Sequence, residues 1–271
     1  RSITPTTSYI QKVAFEAKEL EAAMLFGCEI SHCGVMLRKQ TFDEHQWRYD
    51  PTYLGEDFEL WTRAMNEGAI MVNLPEPLVS HRWGFGNISI AKGESLRNEV
   101  RRLSMRGIGW LGVDTSCYDP MLFSGWRNKP TEFAKADRKW FLSQCRDLLM
   151  EIFEKNRECH RYDEHALKKV LLQRWDWARE SCGISFTRHE YGEFDPIDTT
   201  PAVSVVLPTS CCVMELSKTI DSVLAQTYSD WELLVVNDFN SDDGTVELAE
   251  MYAFLDPRIR LIQAETSLGL I

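Results

Sequence analysis

The sequence predicts an α/β chain in which two incomplete, doubly wound pieces are joined by an α-helical connector. Three observations predict it. Toward the C-terminal end, short β-branched runs alternate with amphipathic stretches in βαβαβ order, the pattern of a parallel sheet with helices on it. The middle carries apolar residues at helical spacing and no strand-like run. The opening zone mixes one helical stretch with short apolar strands and turn residues.

The opening zone, 1–93, contains the helical stretch "IQKVAFEAKELEAAMLF", the expected strands "GVML" and "AIMVNL", and then "PEPL" and the Gly-rich "HRWGFGN". The connector, 94–181, has a turn-rich part around "GWLGVDTSCYDPMLF" and two amphipathic helices. In the first of these, Phe133, Ala136, Trp140, Phe141, Cys145, Leu148, Leu149 and Ile152 recur at helical spacing, with Thr131 as the N-cap. Its aromatic stripe reads as a packing face. Residues 182–201 have the texture of a linker. In 202–271, "VSVVLPT" reads as a strand buried on both faces, followed by the helix "MELSKTIDSVLAQ", the strand "WELLVV", the helix "TVELAEMYAFL" and the strand "RIRLIQA". Such a sheet is not complete by Ile271, and the first residue is Arg rather than Met, so a fragment is expected. Half-sheets of this kind leave edges and one face unburied.

A formal charge of −11 and a pI near 5.1 argue against nucleic acid as the main partner, because phosphate binding needs a cationic face. The basic segment "LRNEVRRLSMR" (96–106) departs from that balance and is expected to be a solvated helix face, with a peripheral membrane contact as the alternative. No run is long enough to cross a bilayer, and a cytoplasmic location is expected, at most against the inner face of the membrane. None of the eight cysteines forms a CxxC pair, so reduced thiols are expected. Cys159, His160 and His165 fit no zinc spacing.

The chemistry sits at the strand ends. Pro208 and Thr209 close the first strand of 202–271, and Asn237 and Asp238 close the second. In a parallel α/β sheet those ends share one edge, where ligands bind. An Asp there can accept hydrogen bonds from a base or a ribose, and the following helix start favours anions. Asp238 reads as a ligand group, Asp243 as a helix cap.

The run from "VSVVLPT" through "SVLAQTY", "WELLVVND" and "DPRI" resembles the opening of a family 2 glycosyltransferase, the nucleotide-sugar part of the Rossmann-like GT-A fold. The resemblance implies that Pro208, Thr209 and Asp238 line a nucleotide-sugar pocket and that Asp242 supports the turn. Where the family has Asp-Asp-Gly, this chain has Asn237-Asp238-Phe239, keeping the second Asp.

The opening zone is similar to the other, acceptor-side end of such a domain, through "YLGEDFELW", "LPEPL" and the basic "HR" beyond it. The resemblance implies that Asp57 is the catalytic base and that Glu56 orients the base or the acceptor. His81 and Arg82 would contact the leaving group or the acceptor. The plainer reading of Glu56 and Asp57 is a pair of acids favouring a helix start. Asp57 precedes Asp238, the reverse of their order in one domain. The expectation is therefore the tail of one glycosyltransferase, a connector, and the head of a second. "VDTSCYDPMLF" resembles the tail after such domains in tandem polysaccharide enzymes.

The implied function is inverting sugar transfer from a nucleotide-sugar donor to a glycan or lipid-linked glycan acceptor, in surface polysaccharide synthesis. Mg or Mn is implied for the complete enzyme, and the Asp-X-Asp that would hold it is absent from this chain. The alternatives are a non-catalytic interaction module or remnant built from such halves, a circularly permuted single domain, and a phosphoacceptor receiver domain. The last is disfavoured by "SVLAQTY…WELLVVND".

Overall fold

The structure is a computed structural model that describes residues 13–80, 92–125, 135–184, 201–239 and 241–266. Contacts divide the chain into two compact units, Arg1–Asn128 with Lys155–Leu167, and Lys129–Glu154 with Lys168–Ile271.

The first unit is built on α1 (Ala17–Ala23), α2 (Lys39–Glu44), α3 (Glu56–Asn66) and α4 (Gly93–Gly109), with short 3₁₀ turns between them. Its core gathers Leu20, Met24, Trp47, Phe58, Leu60, Trp61, Ala64, Met65 and Leu103. The helical stretch expected over 10–26 is shorter among the described residues: α1 yields to a 3₁₀ turn at Met24–Phe26, which breaks at Gly27 (φ 148°). The expected strands "GVML" and "AIMVNL" do not form. A strand needs a ladder partner, and the 69–74 stretch has none among the described residues. Its alternation survives only as exposure, with Ile70, Val72 and Leu74 turned to solvent. Asn73 pins the extended chain instead. Its backbone N–H donates to the Phe15 carbonyl (3.2 Å), and its side-chain amide donates to the carbonyls of Ala14 (2.7 Å) and Glu29 (3.1 Å).

The basic segment is more than a solvated face. Arg101 donates to Ser124 (2.9 Å), Arg102 pairs with Glu99 (3.2 Å), and Arg106 pairs with the buried Glu59 (3.3 Å). These contacts hold α4 within its own unit.

The second unit contains most of α5 (Lys135–Cys159) and α6 (Glu164–Ser181), followed by β1 (Val203–Thr209), α7 (Val213–Leu224), β2 (Trp231–Asn237), α8 (Thr245–Leu255) and β3 (Ile259–Gln263). The expected cap Thr131 and Phe133 lie outside the described residues. Phe141, Cys145, Leu148, Leu149 and Ile152 of α5 are buried as the stripe predicts, while Trp140 is half exposed. Phe153 meets Phe254 of α8 edge-on at 5.2 Å, and Arg146 pairs with Glu250. From α6, the buried Arg179 bonds Ser217 (3.2 Å) and the Tyr252 hydroxyl, and Tyr252 donates to Asp221 (2.6 Å). Burial raises the Tyr252 phenol well above its ordinary range, so it stays a donor there.

The three strands are parallel in the order β1-β2-β3, with Val205 opposite Leu233 and Leu233 opposite Ile259. Strict alternation on β2 buries Trp231, Leu233, Val235 and Asn237 on one face. The other face is open, with Val206 60% and Ile262 42% exposed. β1 is therefore not the doubly buried strand its composition suggests, because nothing among the described residues covers that face.

Candidate functional site

At the carboxyl edge of the sheet, Thr209 lies opposite Asn237, so the two strand ends are level. The Asp238 N–H donates to the Thr209 carbonyl at 2.8 Å, which brings two of the expected nucleotide residues into direct contact. Asp238 is buried apart from 8% of its surface, and its Oδ1 accepts from the Phe239 N–H at 2.9 Å. Thr209 is buried, with Oγ1 2.7 Å from Cys212 Sγ. Pro208 points to the opposite, open face, as adjacent strand residues must. Asp242 is exposed, and its Oδ1 lies 3.7 Å from Cys211 Sγ.

Sequence reasoning missed how this turn is held. Asn237 is fully buried; its amide donates to the Asp238 carbonyl (2.9 Å) and Gln263 Oε1 (3.0 Å), while its Oδ1 accepts from Ser241 Oγ (2.8 Å). Ser241 Oγ also accepts from the Cys211 N–H (3.1 Å), stitching the β2 turn to the β1 turn. An amide both gives and takes at this point, which a carboxylate does not. Asn237 thus has a structural use that accounts for it in place of an Asp.

Asp243 caps two helices. Its Oδ2 accepts from the Val213 N–H (3.0 Å), the first residue of α7. Its Oδ1 accepts from the N–H (3.1 Å) and hydroxyl (2.6 Å) of Thr245, the first residue of α8. Between them Gly244 takes φ +96°, a left-handed conformation, and a Cβ there would stand 2.9 Å from Leu142. "SDDG" was a visible turn signal; the second helix it serves was not.

In the first unit, Glu56 and Asp57 open α3, with Glu59 also in the first turn. Gly55, just before them, donates its N–H to the buried Glu99 carboxylate at 2.6 Å. Glu59 is bridged by Arg63 and Arg106. These bonds anchor the first turn of α3. Asp57 Oδ1 accepts from the Phe58 N–H at 2.7 Å. Burial lifts the Asp57 carboxyl above its ordinary range. The Phe58 bond and the nearby His32 oppose that rise, and the Glu56 charge adds to it. A half-buried carboxyl that holds its proton more tightly than usual is suited to general-base work. His81 and Arg82 lie outside the described residues.

No group of three or more His, Cys, Asp or Glu among the described residues could hold a metal ion. The described residues thus do not supply the Mg or Mn site implied for a complete enzyme.

The model for glycosyl transferase family 2 matches residues 204–271. That stretch is a family 2 glycosyltransferase region. EpsE of Bacillus subtilis (strain 168), named as a glycosyltransferase, is 39% identical over 72 residues, 26% of this chain and 26% of EpsE. The UDP-Glc:alpha-D-GlcNAc-diphosphoundecaprenol beta-1,3-glucosyltransferase WfgD of Escherichia coli is 40% identical over 67 residues, 25% of each. TuaG of Bacillus subtilis (strain 168), named for teichuronic acid biosynthesis, is 35% identical over 69 residues, 26% of this chain and 27% of TuaG. The chain spans about a quarter of the length of these relatives. No solved structure matches it. The glycosyltransferase region carries the Thr209–Asp238 edge. No helix among the described residues is long and apolar enough to cross a membrane.

Proposed function

We propose that the chain is part of a tandem inverting glycosyltransferase of surface polysaccharide synthesis. Residues 1–93 supply the acceptor-side end of one catalytic domain, 94–181 the connector and 182–201 the linker. Residues 202–271 supply the nucleotide-sugar end of a second domain. The observation that carries this reading is the Thr209–Asp238 contact at the ligand edge of a parallel sheet, inside the family 2 region. Asp238 accepts from the base or ribose, Thr209 and Pro208 wall the pocket, and Asp242 holds the turn. The donor class is a nucleotide sugar, and the uridine diphosphate glucose in the name of WfgD supports trying that donor first.

At the acceptor end, Asp57 takes the proton of the attacking hydroxyl. The freed oxygen bonds to the anomeric carbon, the bond from that carbon to the diphosphate oxygen breaks, and the nucleoside diphosphate leaves with the configuration inverted. Glu56 orients the acceptor, and His81 and Arg82 are assigned to the leaving group or acceptor. Mg or Mn is assigned to the complete enzyme through residues outside this chain, and no step here runs through it. The site belongs on the cytoplasmic side of the membrane, where nucleotide sugars are made.

The test is calorimetric titration of uridine diphosphate glucose into the chain and its Asp238→Ala variant. Wild-type binding that weakens at least about tenfold in the variant is expected from losing a hydrogen-bonded charge. Equal binding by both proteins refutes the nucleotide assignment.

A further inference from the structure

Beside the acid pair, three aromatic rings converge in a way that core packing does not require. Trp61, on α3 and 1% exposed, forms the floor. The Tyr49 ring meets it at 6.1 Å and 79°, and His32 lies 6.4 Å from it, tilted by 37°. Tyr49 and His32 also meet each other edge-on at 5.5 Å. The floor is sealed, yet the two upper rings stay open: Tyr49 is 45% exposed, and His32 is exposed. Trp61 Nε1 is buried and has no acceptor among the described residues. Both upper rings stand within electrostatic reach of the acid pair. His32 draws the Asp57 carboxyl down, and the phenol of Tyr49, raised first by burial, is raised further by Asp57 and Glu56.

A sugar ring has an apolar C–H face and a rim of hydroxyls. Holding one hydroxyl against a carboxylate needs a flat apolar surface for the C–H face and a polar group for a neighbouring hydroxyl. Half-exposed aromatic rings with a polar tip meet both needs. Two adjacent carboxylates also repel an acidic sugar.

We propose that Tyr49 and His32 form the platform on which a neutral pyranose acceptor lies, with the Tyr49 ring stacking on the sugar and His32 bonding a hydroxyl next to the one that faces Asp57. This rests on the reading of Asp57 as the acceptor-side base, and it adds a specificity: neutral hexoses and N-acetylhexosamines over uronic acids.

The test titrates methyl β-glucoside and methyl β-glucuronide into the full chain by ligand-observed NMR, with Tyr49→Phe, Tyr49→Ala and His32→Gln alongside. Circular dichroism confirms that each variant is folded. The glucoside is expected to bind and the glucuronide to bind at least about tenfold more weakly. Tyr49→Ala should weaken glucoside binding about fivefold to tenfold, and Tyr49→Phe should stay within about twofold. Unchanged binding in Tyr49→Ala, equal binding of the two glycosides, or binding of neither overturns the platform. The base reading is separated by assaying transfer in the parent enzyme carrying Asp57→Asn. Loss of transfer there with unchanged binding in Tyr49→Ala leaves the base and removes the platform. Retained transfer with weakened binding in Tyr49→Ala does the reverse.

Discussion

Replacing Asp243 by Ala removes a carboxylate that serves the starts of two helices at once. Three hydrogen bonds go: from the Val213 N–H, the Thr245 N–H and the Thr245 hydroxyl. Each lost cap costs about 1 kcal/mol, and each helix loses a negative charge at the positive end of its dipole, about 0.5 kcal/mol apiece. The site is nearly buried, so water replaces little of this, and the total is about 3 kcal/mol. Asp243→Asn keeps one acceptor and presents an amide to the other helix, so about half the loss is expected. Urea unfolding followed by circular dichroism reads the loss as a lower midpoint at unchanged slope. Hydrogen exchange should show the amides of Val213 and Thr245 losing protection together. A loss below about 0.5 kcal/mol in the Ala variant, or exchange quickening at only one of the two amides, refutes the double cap.

Gly244→Ala should cost about 2 kcal/mol in the same unfolding assay, because the left-handed φ is strained for any Cβ and Leu142 stands in its way. Asp256→Ala should cost about 3 kcal/mol or more. Asp256 is fully buried and takes both the Nε and an Nη of Arg258, whose guanidinium lies over Trp231 at 3.9 Å, so a nearly buried cation loses its bidentate carboxylate. If Asp57 is the base, the rate of transfer rises with pH through a carboxyl value above the ordinary 3.8, and an acid limb at or below 3.8 counts against it. For stability the sign is opposite. The folded state holds the Asp57 proton more tightly than the unfolded one, so stability falls as pH rises from 3.8 through the raised value, and Asp57→Asn should flatten that slope.

The βαβαβ order of 202–266 was legible because β-branched runs and helical spacing agree with one another and with the turn residues between them. "DPRI" was quoted as a pattern, and the structure gives it a reason in the Asp256–Arg258 pair beneath Trp231. "AIMVNL" reads as a strand, and no strand forms there. What local pattern cannot supply is the neighbour that turns an extended segment into a ladder. At the site, Thr209 and Asp238 were placed by topology alone, since parallel strand ends must meet. Glu99 beneath Gly55, and Ser241 between two turns, act across long sequence separations, and nothing local marks them. Tyr49 and His32 were missed because their meaning lies in which rings converge on Trp61.

The open face of the three-stranded sheet is graded along its length. At the start of the strands it carries a polar row, where Ser204 donates to Glu232 at 2.7 Å and Arg260 lies 3.7 Å from the same carboxylate. Toward the strand ends the row becomes Val206, Pro208, Val236 and Ile262. For anyone purifying this polypeptide, that gradient dictates colloidal behaviour. Sticking will come from the strand-end half, it will grow with salt as apolar contacts strengthen, and a lysine at Val206 will relieve it without disturbing the packed side of the sheet.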